Sequence, residues 1–197
     1  NSADTYILMS ATIVNPKNYA KTLGITDFKY IEAPSVFDPR KSPIHVSSKY
    51  PLSYNKMAEY LPKVLDQVVQ ITNAHAGEKG IIHTLSFEIT QAVQRRLKGQ
   101  RFLYREEGST NEDILKEHVI RKDDTVLISP SLTMGVDLKG DLGKWQIIIK
   151  LPYPSLGAKR VKMLFEEDKE WYAAQMLKVL VQAAGRCTRS KEDESVT

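Results

Sequence analysis

Three short stretches of this chain are built around unbroken apolar runs: residues 80–85, 125–129 and 145–151. A strand with one wet face alternates apolar and polar residues. An unbroken run marks a strand covered on both sides. Helix-like segments alternate with these runs, at 55–74, 87–97, 111–120 and 161–184. That order predicts the α/β class, a parallel sheet with helices on both faces. Shorter apolar runs at 6–9, 28–31 and 102–104 read as further strands, with another near 44–47 and one starting at 195–197. Asn15 and Pro16 are N-cap and first-turn residues for a short helix to about Leu23, closed by Gly24. Residues 33–53 hold four of the nine prolines and read as an extended connector. Pro62 interrupts the helix at 55–74 or lies near its start, and a break is expected near 167–169.

At 197 residues the chain holds one full domain or slightly more, and 42% apolar content is enough for a core. The net charge of +4 permits a polyanionic partner without requiring one. The single Cys187 excludes an internal disulfide framework and an all-cysteine metal site. The four histidines are scattered and show no metal spacing. No apolar run approaches the roughly 20 residues of a membrane span. Residues 1–6 are polar without a basic start, so no signal peptide is expected. Both ends look cut, one just before an apolar run and the other just inside one. A fragment of a longer, cytoplasmic protein is expected.

Residues 182–189 read Gln-Ala-Ala-Gly-Arg-Cys-Thr-Arg. On a continuous helix, Gln182, Gly185, Arg186 and Arg189 would share one face. Arginine offers a flat fork of donors matched to phosphate oxygens and stays charged, and a glycine permits close approach. The bland alternative makes both arginines surface ion-pair partners beside Lys191, Glu192 and Asp193. Upstream, residues 129–139 read Ser-Pro-Ser-Leu-Thr-Met-Gly-Val-Asp-Leu-Lys after a buried strand. In open α/β sheets, ligands bind at the carboxyl ends of strands. The alternative for Asp137 is an ordinary cap. Thr84 and Ser86 follow the strand at 80–85 and could bind phosphates or cap the next helix. His83 reads as a core histidine. Ser10-Ala11-Thr12 follows the apolar run at 6–9.

Q-x-x-G-R-x-x-R at 182–189 resembles motif VI of superfamily 2 helicases. Residues 131–137 resemble motif V, 80–86 motif IV, and Ser10-Ala11-Thr12 motif III, all in family order. Leu-Pro-Tyr-Pro at 151–154 and Arg-Ser-Lys-Glu-Asp at 189–193 resemble the XPD/DinG branch. The implied fold is RecA-like. Residues 1–32 would end the first motor domain, and 33–197 would form the second.

The resemblance implies that Arg186 and Arg189 act as arginine fingers on the γ-phosphate of ATP, with Gln182 orienting neighbouring groups or the attacking water. Gly135, Asp137 and Gly185 would face the nucleotide. Thr84, Ser86, Ser131 and Thr133 would grip single-stranded DNA, and Ser10 and Thr12 would couple the two events. The sequence has no G-x-x-x-x-G-K-[ST] loop and no D-E-x-H-type acidic box. ATP and Mg²⁺ would therefore be held mainly by the N-terminal RecA-like domain of the same protein, and this fragment alone would be inactive. An iron–sulfur cluster, where the family has one, would lie outside this chain, because one cysteine cannot hold it. No membrane is implied, and a bacterial or viral source is expected. The alternatives are a DEAH-like RNA helicase domain and a non-catalytic nucleic-acid-binding module on a decayed motor fold.

Overall fold

The computed structural model describes residues 5–47, 49–104, 110–131 and 138–197. Its strands are β1 (Gly80–His83), β2 (Phe102–Tyr104), β3 (Val126–Ser129) and β4 (Trp145–Ile148). Its α-helices are α1 (Pro16–Thr22), α2 (Met57–Ala74), α3 (Phe87–Arg96), α4 (Asn111–Ile120), α5 (Lys159–Glu167) and α6 (Lys169–Ala184). The described residues form two compact units. One is Pro34–Leu151 with Ala183–Thr197, and the other is Asn1–Ala33 with Pro152–Gln182.

The first unit carries the sheet, in the order β2-β3-β1-β4, every pair parallel. Successive strand residues serve opposite faces. Ile82, Val126, Ile128 and Trp145 pack with Leu65 and Val68 of α2 and with Ile89 and Val93 of α3. Ile81, Leu103 and Leu127 pack on the other face with Ile114 of α4, Leu138 and Cys187. Both faces are covered, which is what the unbroken apolar runs require. Each fully buried aliphatic side chain here contributes about 1.5–3 kcal/mol.

Local chemistry sets the element ends. Ser86 caps α3 by accepting from the Ile89 N–H at 3.3 Å. Thr110 and Asp113 cap α4 reciprocally. Pro62 sits in the second turn of α2, which runs on through it after a 3-10 turn at Tyr54–Lys56. β1 stops two residues short of the predicted end, because Leu85 takes a φ of 61°. β4 stops at Ile148, which pairs with His83, the last residue of β1. Gly80 opens β1 at a close approach. A Cβ there would lie 2.2 Å from the Trp145 ring.

The expected strands near 44–47 and at 195–197 are reduced to a parallel bridge between Trp145 and Val196 and a few bonds. His45 N–H donates to Thr197 O at 2.7 Å, and Thr197 N–H donates to Pro43 O at 3.0 Å.

In the second unit, Asn15 caps α1 as expected, accepting from the Asn18 N–H at 2.9 Å. The break near 167–169 falls at Asp168. Its carboxylate accepts from the Trp171 N–H at 2.9 Å, from Asn18 Nδ2 at 3.2 Å and from Lys21 Nζ at 2.8 Å. The Lys21 ammonium holds this carboxyl below the usual range. Tyr172 stacks on Tyr153 at 5.1 Å and donates its hydroxyl to Pro154 O at 2.8 Å, fixing the Tyr-Pro loop.

Two expectations fail here. Residues 6–9 and 28–31 form no strand. Ile7 is 82% exposed and Met9 90%. A strand needs a neighbouring ladder for its N–H and C=O groups, and neither run has one among the described residues.

Candidate functional site

In the sheet unit, Thr84 and Ser86 follow the carboxyl end of β1, and Ser131 follows that of β3. Thr84 is fully buried, and its hydroxyl is used internally. It lies 2.5 Å from Thr90 Oγ1 and 3.0 Å from the Ser129 carbonyl it donates to. That placement leaves it no reach to a phosphate backbone. Ser86 is half-buried and caps α3 as an acceptor, which leaves its hydroxyl proton to donate to a ligand. Between them Leu85 occupies the left-handed region, which a branched side chain seldom adopts and which costs on the order of 1 kcal/mol.

After β3, Ser129 Oγ accepts from the Ser131 N–H at 3.1 Å, closing a tight turn that starts the next loop. Thr133, Gly135 and Asp137 lie outside the described residues. The chain is described again from Leu138, which is buried against Cys187.

α6 ends at Ala184, and Gly185–Cys187 is a 3-10 turn. Arg189 therefore lies beyond the helix, and the expectation that Gln182, Gly185, Arg186 and Arg189 share one helix face fails. A different device shapes this loop. Asp193, 7% exposed, accepts from the Arg189 N–H at 2.7 Å, the Ser190 N–H at 2.6 Å and the Gly140 N–H at 3.1 Å. Burial alone would raise this carboxyl. The backbone donors outweigh it and hold it below the usual range. One carboxylate thus ties the arginine loop to the end of the β3 loop. Asp193 was legible only as part of Arg-Ser-x-x-Asp. Backbone donors leave no trace in side-chain type.

Arg186 is half-buried and Arg189 exposed. A Cβ on Gly185 would meet no described atom within 4 Å, so the backbone there is open to close approach. Arg186 acts electrostatically on His83, the last residue of β1, which places its charge near the carboxyl end of the sheet. His83 is buried as expected, and burial lowers its pKa to about 4. Its ring nitrogens have no well-aligned hydrogen-bond partner among the described residues. Cys187 is buried, and desolvation pushes its thiol up to about 12. In that state the thiol is held protonated, the less reactive form.

The other unit brings two predicted residues together. Gln182 Nε2 donates to Thr12 Oγ1 at 2.9 Å, across 170 residues of sequence. Ser10 Oγ accepts from the Thr12 N–H at 3.2 Å. Among the described residues no group of three His, Cys, Asp or Glu could hold a metal ion. No described helix is long and apolar enough to cross a membrane.

Comparison with known proteins fits this geometry. The family model of the helicase C-terminal domain matches residues 68–197. A solved XPD helicase structure has 20% identity and a TM-score of 0.71, covering 95% of this chain and 37% of its own. A structure of apo XPD has 22% identity and a TM-score of 0.64, covering 95% and 42%. The Xpd4 structure from S. tokodaii has 18% identity and a TM-score of 0.54, covering 75% and 31%. At these identities the likeness is one of fold. The chain spans about two fifths or less of each of these proteins. No curated protein matches it.

Proposed function

The chain belongs to the helicase C-terminal domain family, and we propose that it is the second motor domain of an ATP-dependent, XPD/DinG-like DNA helicase. The observation that carries this reading is the arginine loop. Its backbone is pinned by Asp193, which also holds the Gly140 N–H, and Arg186 acts electrostatically on His83, the last residue of β1.

Arg186 and Arg189 fit one side of a nucleotide, as fixed cations beside an open glycine backbone. ATP, held with Mg²⁺ mainly by the N-terminal RecA-like domain, supplies the phosphoryl group. Arg186 and Arg189 neutralise the charge that builds as that group transfers, an effect worth roughly a thousandfold or more in rate in related hydrolases. Asp193 keeps both arginines in register with the β3 loop. Gln182 and Thr12 form a polar pair within the other unit. Ser86 and Ser131 grip phosphates of a single strand, joined by Thr133. Gly135 and Asp137 line the nucleotide side. Thr84 serves the core instead. Phosphate gripping of this kind is sequence-independent and weakens with salt. Cys187 does not fit an iron–sulfur cluster, so any such group would be held outside this chain.

The test is ATP hydrolysis by the intact protein, with and without single-stranded DNA and RNA, run beside Arg186→Ala. The expected result is DNA-stimulated turnover that the variant loses while still binding ATP. Normal turnover by the variant would remove the finger role. Stronger stimulation by RNA would favour the DEAH-like alternative, and no turnover by a folded wild type the decayed module. Asp137→Ala should weaken stimulation by nucleic acid, and unchanged stimulation would remove it from that role.

A further inference from the structure

The start of α2 carries a cluster of lysines and tyrosines that none of the helicase motifs includes. Tyr50 and Tyr60 lie 5.7 Å apart, tilted by 47°. Lys63 Nζ stands 5.6 Å from the Tyr50 ring centre and 5.4 Å from that of Tyr60. Lys49 lies 5.4 Å from Tyr50, and Lys56 lies 5.5 Å from Tyr60. A cation over a ring is ordered without meeting an acceptor oxygen, so its charge stays available. Lys56 is partly neutralised by Glu59 at 2.8 Å. Among the described residues, Lys49 and Lys63 have no carboxylate within 4 Å. Tyr54, between them in sequence, is 96% exposed.

Tyr54 links this cluster to the candidate site, while Tyr60 and Lys63 lie on the other face of α2 from the groove that Tyr54 lines. A groove of about 780 Å³ runs from Tyr54 and Met57 to Ser86, Arg95 and Lys150, with Glu88 the one carboxylate along it. Ser86 follows β1 and Lys150 follows β4, so the groove opens at the carboxyl end of the sheet.

We propose that a single-stranded nucleic acid leaving Ser86 follows this groove to Tyr54, stacks a base there and passes round the start of α2 to set phosphates on Lys49 and Lys63. The occupant is chosen by chemistry. Ordered ammonium groups on half-buried rings, beside the one exposed ring of Tyr54, match a polymer that alternates phosphates with flat bases. An acidic peptide would use the charges and leave Tyr54 without a purpose. The proposal rests on the reading of Ser86 as a phosphate contact, and it adds a surface about one helix away.

The experiment measures binding of labelled oligothymidylate to the intact protein over a salt series. Wild type is compared with Lys49→Ala/Lys63→Ala, Lys49→Arg/Lys63→Arg and Tyr54→Ala, each checked for unchanged helix content. Removing both lysines should lower the log–log salt slope by about 1.4, since each phosphate contact on a single strand contributes roughly 0.7. The arginine pair should keep the slope. Tyr54→Ala should bind about tenfold more weakly with the slope intact. If wild type binds and all variants match it, the strand does not cross α2, while the motor reading stands. If wild type fails to bind, both readings fall. Loss of oligoglutamate binding in the lysine variant, with DNA binding unchanged, would overturn the proposal in favour of an acidic protein partner.

Discussion

Two buried histidines mark the two ends of the sheet. His118 lies at the amino end. Its Nε2 donates to Leu142 O at 2.8 Å, and its Nδ1 stands 2.8 Å from Thr125 Oγ1, the arrangement of a neutral ring. Beside it the Lys79 ammonium reaches the carbonyls of His118 and Arg121, and Arg101 pairs with Asp124 at 2.9 Å. His83 lies at the carboxyl end. It is just as buried, faces the charge of Arg186, and lacks aligned partners among the described residues. Leu85, two residues on, is in a strained backbone region. One end is satisfied and held by packing. The other holds a strained residue and a buried histidine beside a positive charge, features that proteins tolerate where a ligand acts.

Three changes probe this contrast, and a fourth tests the other unit. Arg186→Ala, at the carboxyl end, should cut ATP turnover of the intact protein by roughly a thousandfold and leave its melting temperature nearly unchanged. Coupled turnover and thermal melting measure both, and a large fall in melting temperature instead would make Arg186 part of the scaffold. Gly80→Ala, at the amino end, should do the reverse. The added methyl would lie 2.2 Å from the buried Trp145 ring. Overpacking of this kind costs about 3 kcal/mol, while turnover per folded molecule is kept. Urea melts of the variant decide it, and wild-type stability would mean the indole has room to move.

The third change is pH. Desolvation lowers both His83 and His118 from 6.5 to about 4. Unfolding restores the ordinary value, so between about pH 6.5 and 4 the unfolded chain binds protons the native state refuses. Stability therefore falls with acid in that window, by up to about 1.4 kcal/mol per pH unit for each histidine. Replacing His118 by Gln should roughly halve the slope. A slope untouched by that substitution would show that His118 is not buried neutral. The smallest effect concerns the other unit. A double-mutant cycle on Thr12→Ala and Gln182→Ala should give a coupling of about 0.5–1 kcal/mol in stability. Strict additivity would mean the 2.9 Å bond is not kept in solution.

How much of this was legible follows from where each signal resides. β1, β3 and β4 were readable because strands buried on both faces carry unbroken apolar residues. α4 was placed to the residue at 111–120, and the structure shows Thr110 and Asp113 capping it reciprocally. The same apolar pattern misled at 6–9 and 28–31, since apolar type reports a wish for burial and says nothing of a ladder partner. Motif VI was readable as residue types. Its shape was not, because helical spacing was extended past Ala184, where α6 stops. Thr84 was placed with Ser86 on residue type alone, and only packing separated the buried hydroxyl from the half-buried one.

Sequence alone determined the α/β class, the strands of the sheet, the helix segments, the Asn15 cap and the order of the motif residues, because each is written in side-chain type at short spacing. Tertiary structure decided which apolar runs pair. It brought Gln182 to Thr12 across 170 residues. It also decided that Asp193 would collect N–H groups from two loops. Every residue but proline carries such an N–H. Which carboxylate meets it depends on the path of the whole backbone.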